Sequence, residues 1–518
     1  MTNQTSAADA DFDVVVIGSG FGGAAVACRL AQAGRSVAIL ERGKEYPLGQ
    51  GEWRTTGHGT RHRRHGHFMV DQGDGMNVIR GIGVGGGSLH YFGVRLRVYP
   101  EIFESSRWPH EITRKSLDPY YDLVGEMIPA QPIRANPVAG MPARGVAFQA
   151  AAEATRRAKG KPEWVPIAVH GEHAPKQTPA GVPVTRCVYC GDCILGCPPS
   201  ATFDGNVNAR ELLTLNYLAV AKNHGALIFP EHFVQEVTKT AEGFEILFTV
   251  GDHEEPQPED LGPVARVRAR QVVLAAGTLG STEVLLRSRR HFPKLSTQLG
   301  QNFSGNGDFI YARTQRTALD LQPKSGPLIV AGADFSTETH KIYVEDLGAV
   351  PFLGAMLGVE KGRVTTRGRY EMRYLAMGTD ASNGVLTLKD GRIWVEWDGT
   401  ASLPLYREQQ AALREMSQQL NGAYADPPGY DPVTGNGLLT AHPLGGCVMG
   451  DSIEQGVVDP KGEVFGVPGL YVADGAIVPT ALGKNPSYTI SALAERVAFR
   501  MLHDHDLAEG DSDTPVNR

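Results

Sequence analysis

The stretch from Asp13 to Glu41 constrains the fold more than any other part of the chain. Asp13-Val14-Val15-Val16-Ile17 is a short β-branched run suited to a fully buried strand. It runs into Gly18-Ser19-Gly20-Phe21-Gly22-Gly23, after which Val26, Leu30 and Ala33 trace an apolar helical stripe. Gly34 ends that helix, and Val37-Ala38-Ile39-Leu40 is a second strand closing on Glu41. Strand, glycine-rich turn, helix, strand and acid make the βαβ unit that binds a dinucleotide. Gly18 permits the tight turn, Gly20 lets backbone N–H groups approach a pyrophosphate, and Gly23 lets helix and strand pack closely. Glu41 stands where a carboxylate can accept hydrogen bonds from a ribose diol.

At 518 residues the chain is long for one core, so two linked domains are expected. Its 62 glycines and 33 prolines imply many turns and long connections. A net charge of −7 argues against a nucleic-acid partner. The basic patch Arg61-His62-Arg63-Arg64-His65 reads as a solvated loop. Met1 to Asp11 is polar, without the apolar core of a signal peptide. No run approaches the roughly 20 apolar residues that span a bilayer. The expectation is a soluble, cytoplasmic protein with no transmembrane segment.

After Glu41, residues 44–79 hold no sustained stripe and read as a connecting excursion. Arg80-Gly81-Ile82-Gly83-Val84-Gly85-Gly86-Gly87-Ser88 follows, with five glycines in seven positions. Such a run lets backbone approach a ligand or another backbone. Residues 105–181 look helical in pieces, most clearly Ala147 to Lys159. Ala209 to Ala221 reads as a helix, with strands at 226–229, 234–237 and 244–250. A strand at 267–276 leads into a helix from Leu279 to Arg287. Short alternating runs at 308–314, 341–345 and 385–388 then look like antiparallel strands, the last joined to Ile393–Trp397 by a hairpin turn around Asp390-Gly391. Pro404 to Leu420 is an amphipathic helix, and a closing helix spans about Pro486 to Leu502.

The fold class expected is α/β: a Rossmann-type nucleotide domain plus a mostly antiparallel-sheet substrate domain with helices. The nucleotide domain is discontinuous, over 11–100, 200–300 and 435–505. Residues 101–199 form a helical segment with a cysteine-rich loop, and 301–434 the substrate-binding sheet domain.

Four of the six cysteines fall in Cys187-x2-Cys190-x2-Cys193-x3-Cys197-Pro198, the spacing of a bacterial ferredoxin half-site. No second run exists, so an iron–sulfur cluster would need Cys197 to fold back or a remote ligand. The thiolates could equally hold zinc, or survive as a metal-free thiol-rich loop. His442, in Ala441-His442-Pro443-Leu444-Gly445-Gly446-Cys447, is a general acid/base candidate, since histidine as a residue type titrates near neutrality. Asn485, in Gly483-Lys484-Asn485-Pro486-Ser487, stands at the mouth of the last helix.

These motifs, in this order, resemble the glucose-methanol-choline (GMC) oxidoreductase family, in particular its cholesterol-oxidase-like branch. The likeness spans the βαβ unit, the Arg80–Ser88 run, Ala276-Gly277-Thr278-Leu279-Gly280-Ser281-Thr282-Glu283, His442–Cys447, and Leu470–Gly475 with Asn485-Pro486. It implies non-covalent FAD and oxidation of an alcohol, with dioxygen or an electron carrier as acceptor. His442 and Asn485 would face the reacting edge of the flavin. Gly86, Gly87 and Ser88 would lie along the cofactor, Val234 at its adenine end, and Gly277, Asp474 and Gly475 near it. Glu345 either corresponds to the glutamate that moves a proton in steroid-oxidising relatives or, with Asp346, forms a solvated acidic pair. The chain departs from that branch at Ser88-Leu89-His90-Tyr91-Phe92, where aromatic residues stand in place of an asparagine. Two other readings are an electron-transfer or redox-sensing flavoprotein working through the cysteines, and a flavin-bound isomerase using Glu345.

Overall fold

The computed structural model describes residues 7, 9–46, 62–65, 68–135, 140–170, 176–191, 193, 209–251, 264–323, 325–350 and 366–503. The opening strand, Asp11–Ile17, pairs in parallel with Val37–Leu40 on one side and Ala265–Leu274 on the other. A central strand covered on both faces needs apolar residues throughout, and Val14, Val15 and Val16 have no solvent exposure. Around it a seven-stranded sheet runs His232–Lys239, Phe244–Val250, Ala265–Leu274, Asp11–Ile17, Val37–Leu40, Leu227–Phe229, with Leu470–Val472 alongside Ala265–Leu274. The helix Phe21–Gln32 lies against the closing helix Ser487–His503, and Arg29 grips Glu495 through Nε and Nη2 at 2.7 and 2.8 Å.

A second, six-stranded antiparallel sheet runs Ala423–Ala425, Phe309–Gln315, Met372–Gly378, Ile342–Leu347, Ala331–Asp334, Lys159–Trp164. Its last strand corrects the helical reading of the region around 105–181. The helix there stops at Ala154, and Lys159–Trp164 crosses over to the sheet edge. An edge strand of exposed, charged residues carries no alternation for sequence to reveal. The helix expected from Ala209 to Ala221 is likewise confined to Tyr217–Asn223.

The hairpin Val385–Lys389/Arg392–Glu396 turns through Asp390 and Gly391 at φ 54° and 72°, both left-handed, as a two-residue turn requires. It stands as its own two-stranded sheet rather than joining the larger one. It packs on the helix Gly277–Ser288, where Arg287 Nη2 donates to Gly391 O at 2.9 Å and Ile393 N to Glu283 Oε1 at 3.3 Å.

The stretch read as an excursion contains strands too. Phe68–Asp71 and Met76–Gly81 pair antiparallel and are flanked by His62–His65 and Leu438–Thr440. Thus part of the basic patch expected to be a loop is strand; Arg61 lies outside the described residues. Among the described residues no helix is long and apolar enough to cross a membrane.

Candidate active site

A cavity of about 310 Å³ runs from the opening glycines to His442 and Asn485, between the two sheets. At one end Gly18, Gly20, Glu41 and Val234 line it. Gly18 adopts φ +101°, and a Cβ there would stand 2.3 Å from Ala275 O, so no other residue fits. Gly23 does not face the cavity; its Cβ would meet Gly18 O at 2.1 Å, which is the helix–strand packing read from the spacing. Gly20 and Gly277 differ from both. They line the cavity, and among the described residues nothing beyond their own chain neighbours and helix backbone lies within 4 Å of where their Cβ atoms would be. The helix beginning at Phe21 has Gly20 as its N-cap, with no capping side chain, so its first N–H groups are available to an anion. These bare glycines beside an uncapped helix end fit the diphosphate and ribityl chain of a dinucleotide.

Glu41 is buried, and burial pushes its carboxyl up. Its Oε2 accepts from Ser19 N at 3.1 Å and Ser19 Oγ at 2.7 Å, its Oε1 from Gly43 N at 2.9 Å and Gly83 N at 3.3 Å. A ribose diol would therefore displace the rotatable Ser19 hydroxyl rather than find a vacant carboxylate. Gly86, at φ +51°, sits so close to Gly20 that a Cβ would lie 2.7 Å from its Cα. Gly86 and Gly87 line the cavity. Ser88 departs from expectation: it is fully buried away from the lining, its Oγ donating to Gly85 O at 2.7 Å and accepting from Leu213 N at 3.3 Å. It closes the turn that shapes the loop. Asp474 and Gly475 also line the cavity. Asp474 accepts from Ser281 Oγ at 2.5 Å and from Gly277 N and Ala476 N at 2.8 Å, while burial pushes its carboxyl up to about 6.

At the other end, His442 Nδ1 lies 2.8 Å from Asp308 Oδ1, and Asp308 has no solvent exposure. Asp308 Oδ2 accepts from Thr440 Oγ1 and Ala441 N at 3.0 and 2.9 Å, which fixes the carboxylate. The Asp308 contact occupies Nδ1 and leaves Nε2 as the ring nitrogen available for chemistry. Asn485 Nδ2 donates to Glu345 Oε2 at 3.3 Å. Asn485 Oδ1 and Glu345 Oε1 are both buried with no partner among the described residues, as polar atoms awaiting a ligand would be. Burial, before any other cause, pushes the Glu345 carboxyl well above the usual range.

The solvated-pair reading of Glu345 and Asp346 is thereby corrected, since both are completely buried. They alternate along the strand Ile342–Leu347. Asp346 turns to Arg144, at 2.8 Å from Nε, and accepts from Val330 N and Ala331 N at 2.8 and 2.7 Å.

Sequence reasoning missed Asp308 and Asn306. Asn306 is fully buried at φ +58°. Its Oδ1 accepts from Leu482 N at 2.8 Å and Gly483 N at 2.9 Å, and its Nδ2 donates to Lys484 O at 2.9 Å. One loop thus orients His442 through Asp308 and holds the backbone that carries Asn485. The only signal in sequence is Gly305-Asn306-Gly307-Asp308 itself, polar residues among glycines ahead of an apolar strand.

Between the two ends the wall is apolar and aromatic, including Phe68, Phe92, Ile310, Leu347 and Leu375. The aromatic departure after the glycine run contributes to it. His90 packs on Phe68 with ring centres 4.4 Å apart, and Tyr91 donates to Glu211 O.

The cysteine run lies behind that loop. Arg210 reaches Cys193 O together with Ser88 O and Tyr91 O, tying the segment to the glycine-run loop. Cys187 and Cys190 are half-buried and Cys193 is buried; Cys197 lies outside the described residues. Among the described residues no group of His, Cys, Asp and Glu is arranged to hold a metal ion, so neither the iron–sulfur nor the zinc expectation gains support.

Comparison with known proteins agrees with this geometry. Residues 13–304 match the family described as FAD dependent oxidoreductase, and residues 407–494 match GMC oxidoreductase. A cholesterol oxidase of Mycobacterium tuberculosis is 29% identical, covering 94% of this chain and 90% of its own. A cholesterol oxidase of Acinetobacter baumannii is 27% identical over 96% of both. In fold the chain is similar to a mutant formate oxidase of Aspergillus oryzae, with TM-score 0.69, 15% identity, and coverage of 97% of this chain and 99% of that one.

Proposed function

The chain belongs to the FAD-dependent oxidoreductases, of GMC type, and from that premise we propose that it oxidises the CH–OH group of a bulky, largely apolar alcohol, sterol-like or cyclic. One observation carries the reading: His442, oriented by Asp308, and Asn485, bonded to Glu345, open onto a single cavity with an apolar wall. When bound, FAD supplies the two-electron acceptor for hydride from the alcohol carbon.

The chain's own residues handle the proton. With Nδ1–H directed to Asp308, His442 Nε2 takes the hydroxyl proton as hydride leaves the same carbon, and Asp308 stabilises the resulting imidazolium. Asn485, whose Oδ1 lacks a protein partner, fixes the hydroxyl by hydrogen bonding. Glu345, whose carboxyl burial pushes well above the usual range, accepts a hydrogen bond from Asn485 and is the third residue we assign to the handling of the proton, acting through Asn485. Phe92, Ile310, Leu347 and Leu375 exclude water from the reacting carbon and favour an apolar substrate. Dioxygen as the acceptor is supported by the relatives' being oxidases.

The test is anaerobic bleaching of the bound flavin by a panel of sterols, terpenoid alcohols and sugars. Reduction by the apolar alcohols, followed by peroxide formation on admitting air, is expected. Bleaching by sugars alone would overturn the substrate class, and no bleaching by any alcohol would overturn the reaction.

A further inference from the structure

Arg95 is 4% exposed, yet none of its guanidinium nitrogens has a hydrogen-bond partner among the described residues. Proteins rarely bury a charge without pairing it, because desolvation is not offset. The guanidinium carbon lies 5.1 Å from the centre of the Tyr488 ring and 5.8 Å from that of Phe21. Phe21 opens the helix Phe21–Gln32, and Tyr488 is in the first turn of Ser487–His503. Arg29 and Glu495, which clasp one another, each stand in the third turn of their helix. The helices therefore run parallel, with their N-termini side by side. Both first turns line the cavity, through Phe21 and Gly22 and through Ser487 and Ile490.

Two positive helix ends and a buried guanidinium thus converge on one region. The carboxylate that acts on Arg95 does not balance them. Glu211 is held by His170 Nε2, 2.7 Å from Oε1, and by Asn216 Nδ2, 3.4 Å from Oε2. The aromatic rings attract the cation but carry no formal charge. What the arrangement lacks is an anion, and it adjoins the bare glycine Gly20, the residue before Phe21.

We propose that Arg95, which lies behind the cavity lining against Phe21 and Tyr488, is the buried counter-charge to the diphosphate of bound FAD. Neutral N–H groups of the glycine turn bind a diphosphate by their dipoles; Arg95 adds a full charge where water cannot screen it. The inference rests on FAD binding and not on the identity of the alcohol. Flavin bleaching tests the alcohol in unmodified protein, whereas the titration below uses no substrate, so the two can fail separately.

The holoenzyme and Arg95→Met are compared for FAD dissociation, read from flavin fluorescence on dilution, and for melting temperature after FAD is stripped. Arg95→Met should weaken FAD by about tenfold or more, with Arg95→Lys recovering part of the loss. Stripped Arg95→Met should melt higher than stripped wild type, because an unpaired buried charge has gone. FAD affinity within about twofold of wild type would overturn the proposal, as would a lower melting temperature of the stripped variant. A changed flavin potential at unchanged affinity would also overturn it, by putting the charge at the ring. If Arg95→Met does not accumulate, Arg95→Gln, polar and uncharged, takes its place in the same titration.

Discussion

Asp308 holds the His442 ring by Nδ1 at 2.8 Å, and the Asp308 carboxylate is itself locked by Thr440 and Ala441. A histidine so held has one orientation and presents the nitrogen that Asp308 does not hold. His442→Ala should slow alcohol-driven flavin reduction at least about a hundredfold, the usual worth of a positioned acid–base group. Asp308→Asn should slow it at least about tenfold while leaving FAD content intact, because the ring stays but its orientation and charge support go. Stopped-flow reduction under anaerobic conditions measures both. Unchanged rates in either variant would remove the corresponding role.

Asn306 makes three hydrogen bonds to the 482–484 backbone from a left-handed conformation. Asn306→Ala should destabilise the protein by about 2–4 kcal/mol in urea unfolding, through lost hydrogen bonds and because alanine tolerates a left-handed backbone less well than asparagine. Asn306→Gly relieves only the second term. If both variants retain wild-type turnover, the loop does not position Asn485.

Gly20 and Gly86 make a contrasting pair. A Cβ at Gly86 would strike Gly20 Cα at 2.7 Å from a φ of +51°, so Gly86→Ala should lower the melting temperature with or without FAD. At Gly20 a Cβ meets nothing among the described residues beyond its chain neighbours, and the backbone there is extended, at φ −71°. Gly20→Ala should therefore leave the stripped protein's melting temperature unchanged or slightly raised, yet weaken FAD. Equal FAD affinity in Gly20→Ala would mean that the cofactor does not fill that space.

Asp474 supplies a pH dependence. Burial raises its carboxyl from 3.8 to about 6, so the folded protein keeps a proton that the unfolded chain releases. The resulting stabilisation is complete below pH 3.8 and is lost as the pH rises through about 6. It amounts to about 3 kcal/mol. In FAD-free protein, Asp474→Asn should flatten this part of the stability curve, followed by thermal melts between about pH 4 and pH 7. A slope identical to wild type would place the titration elsewhere.

What the sequence determined by itself was local and periodic. A β-branched run, glycines at fixed intervals and an acid after the second strand specify the βαβ unit. Asp390-Gly391 specifies a hairpin turn because few other pairs accept two positive φ angles. The order of motifs was enough to indicate the family and FAD. The strands at 68–71 and 76–81 escaped because they are too short to show a period, and the charged edge strand at 159–164 because its partner is distant and it buries too little to leave a pattern.

Only the tertiary structure decided the rest, because burial and pairing belong to chain segments far apart. It buried Glu345 beside Asn485, 140 residues away, and turned Asp346 to Arg144 instead of solvent. It withdrew Ser88 from the cavity, and it brought Asp308 to His442 across 134 residues. The opening stretch made a nucleotide site legible at once. The buried, hydrogen-bonded surroundings of the residues at its far end exist only once both sheets have closed around them.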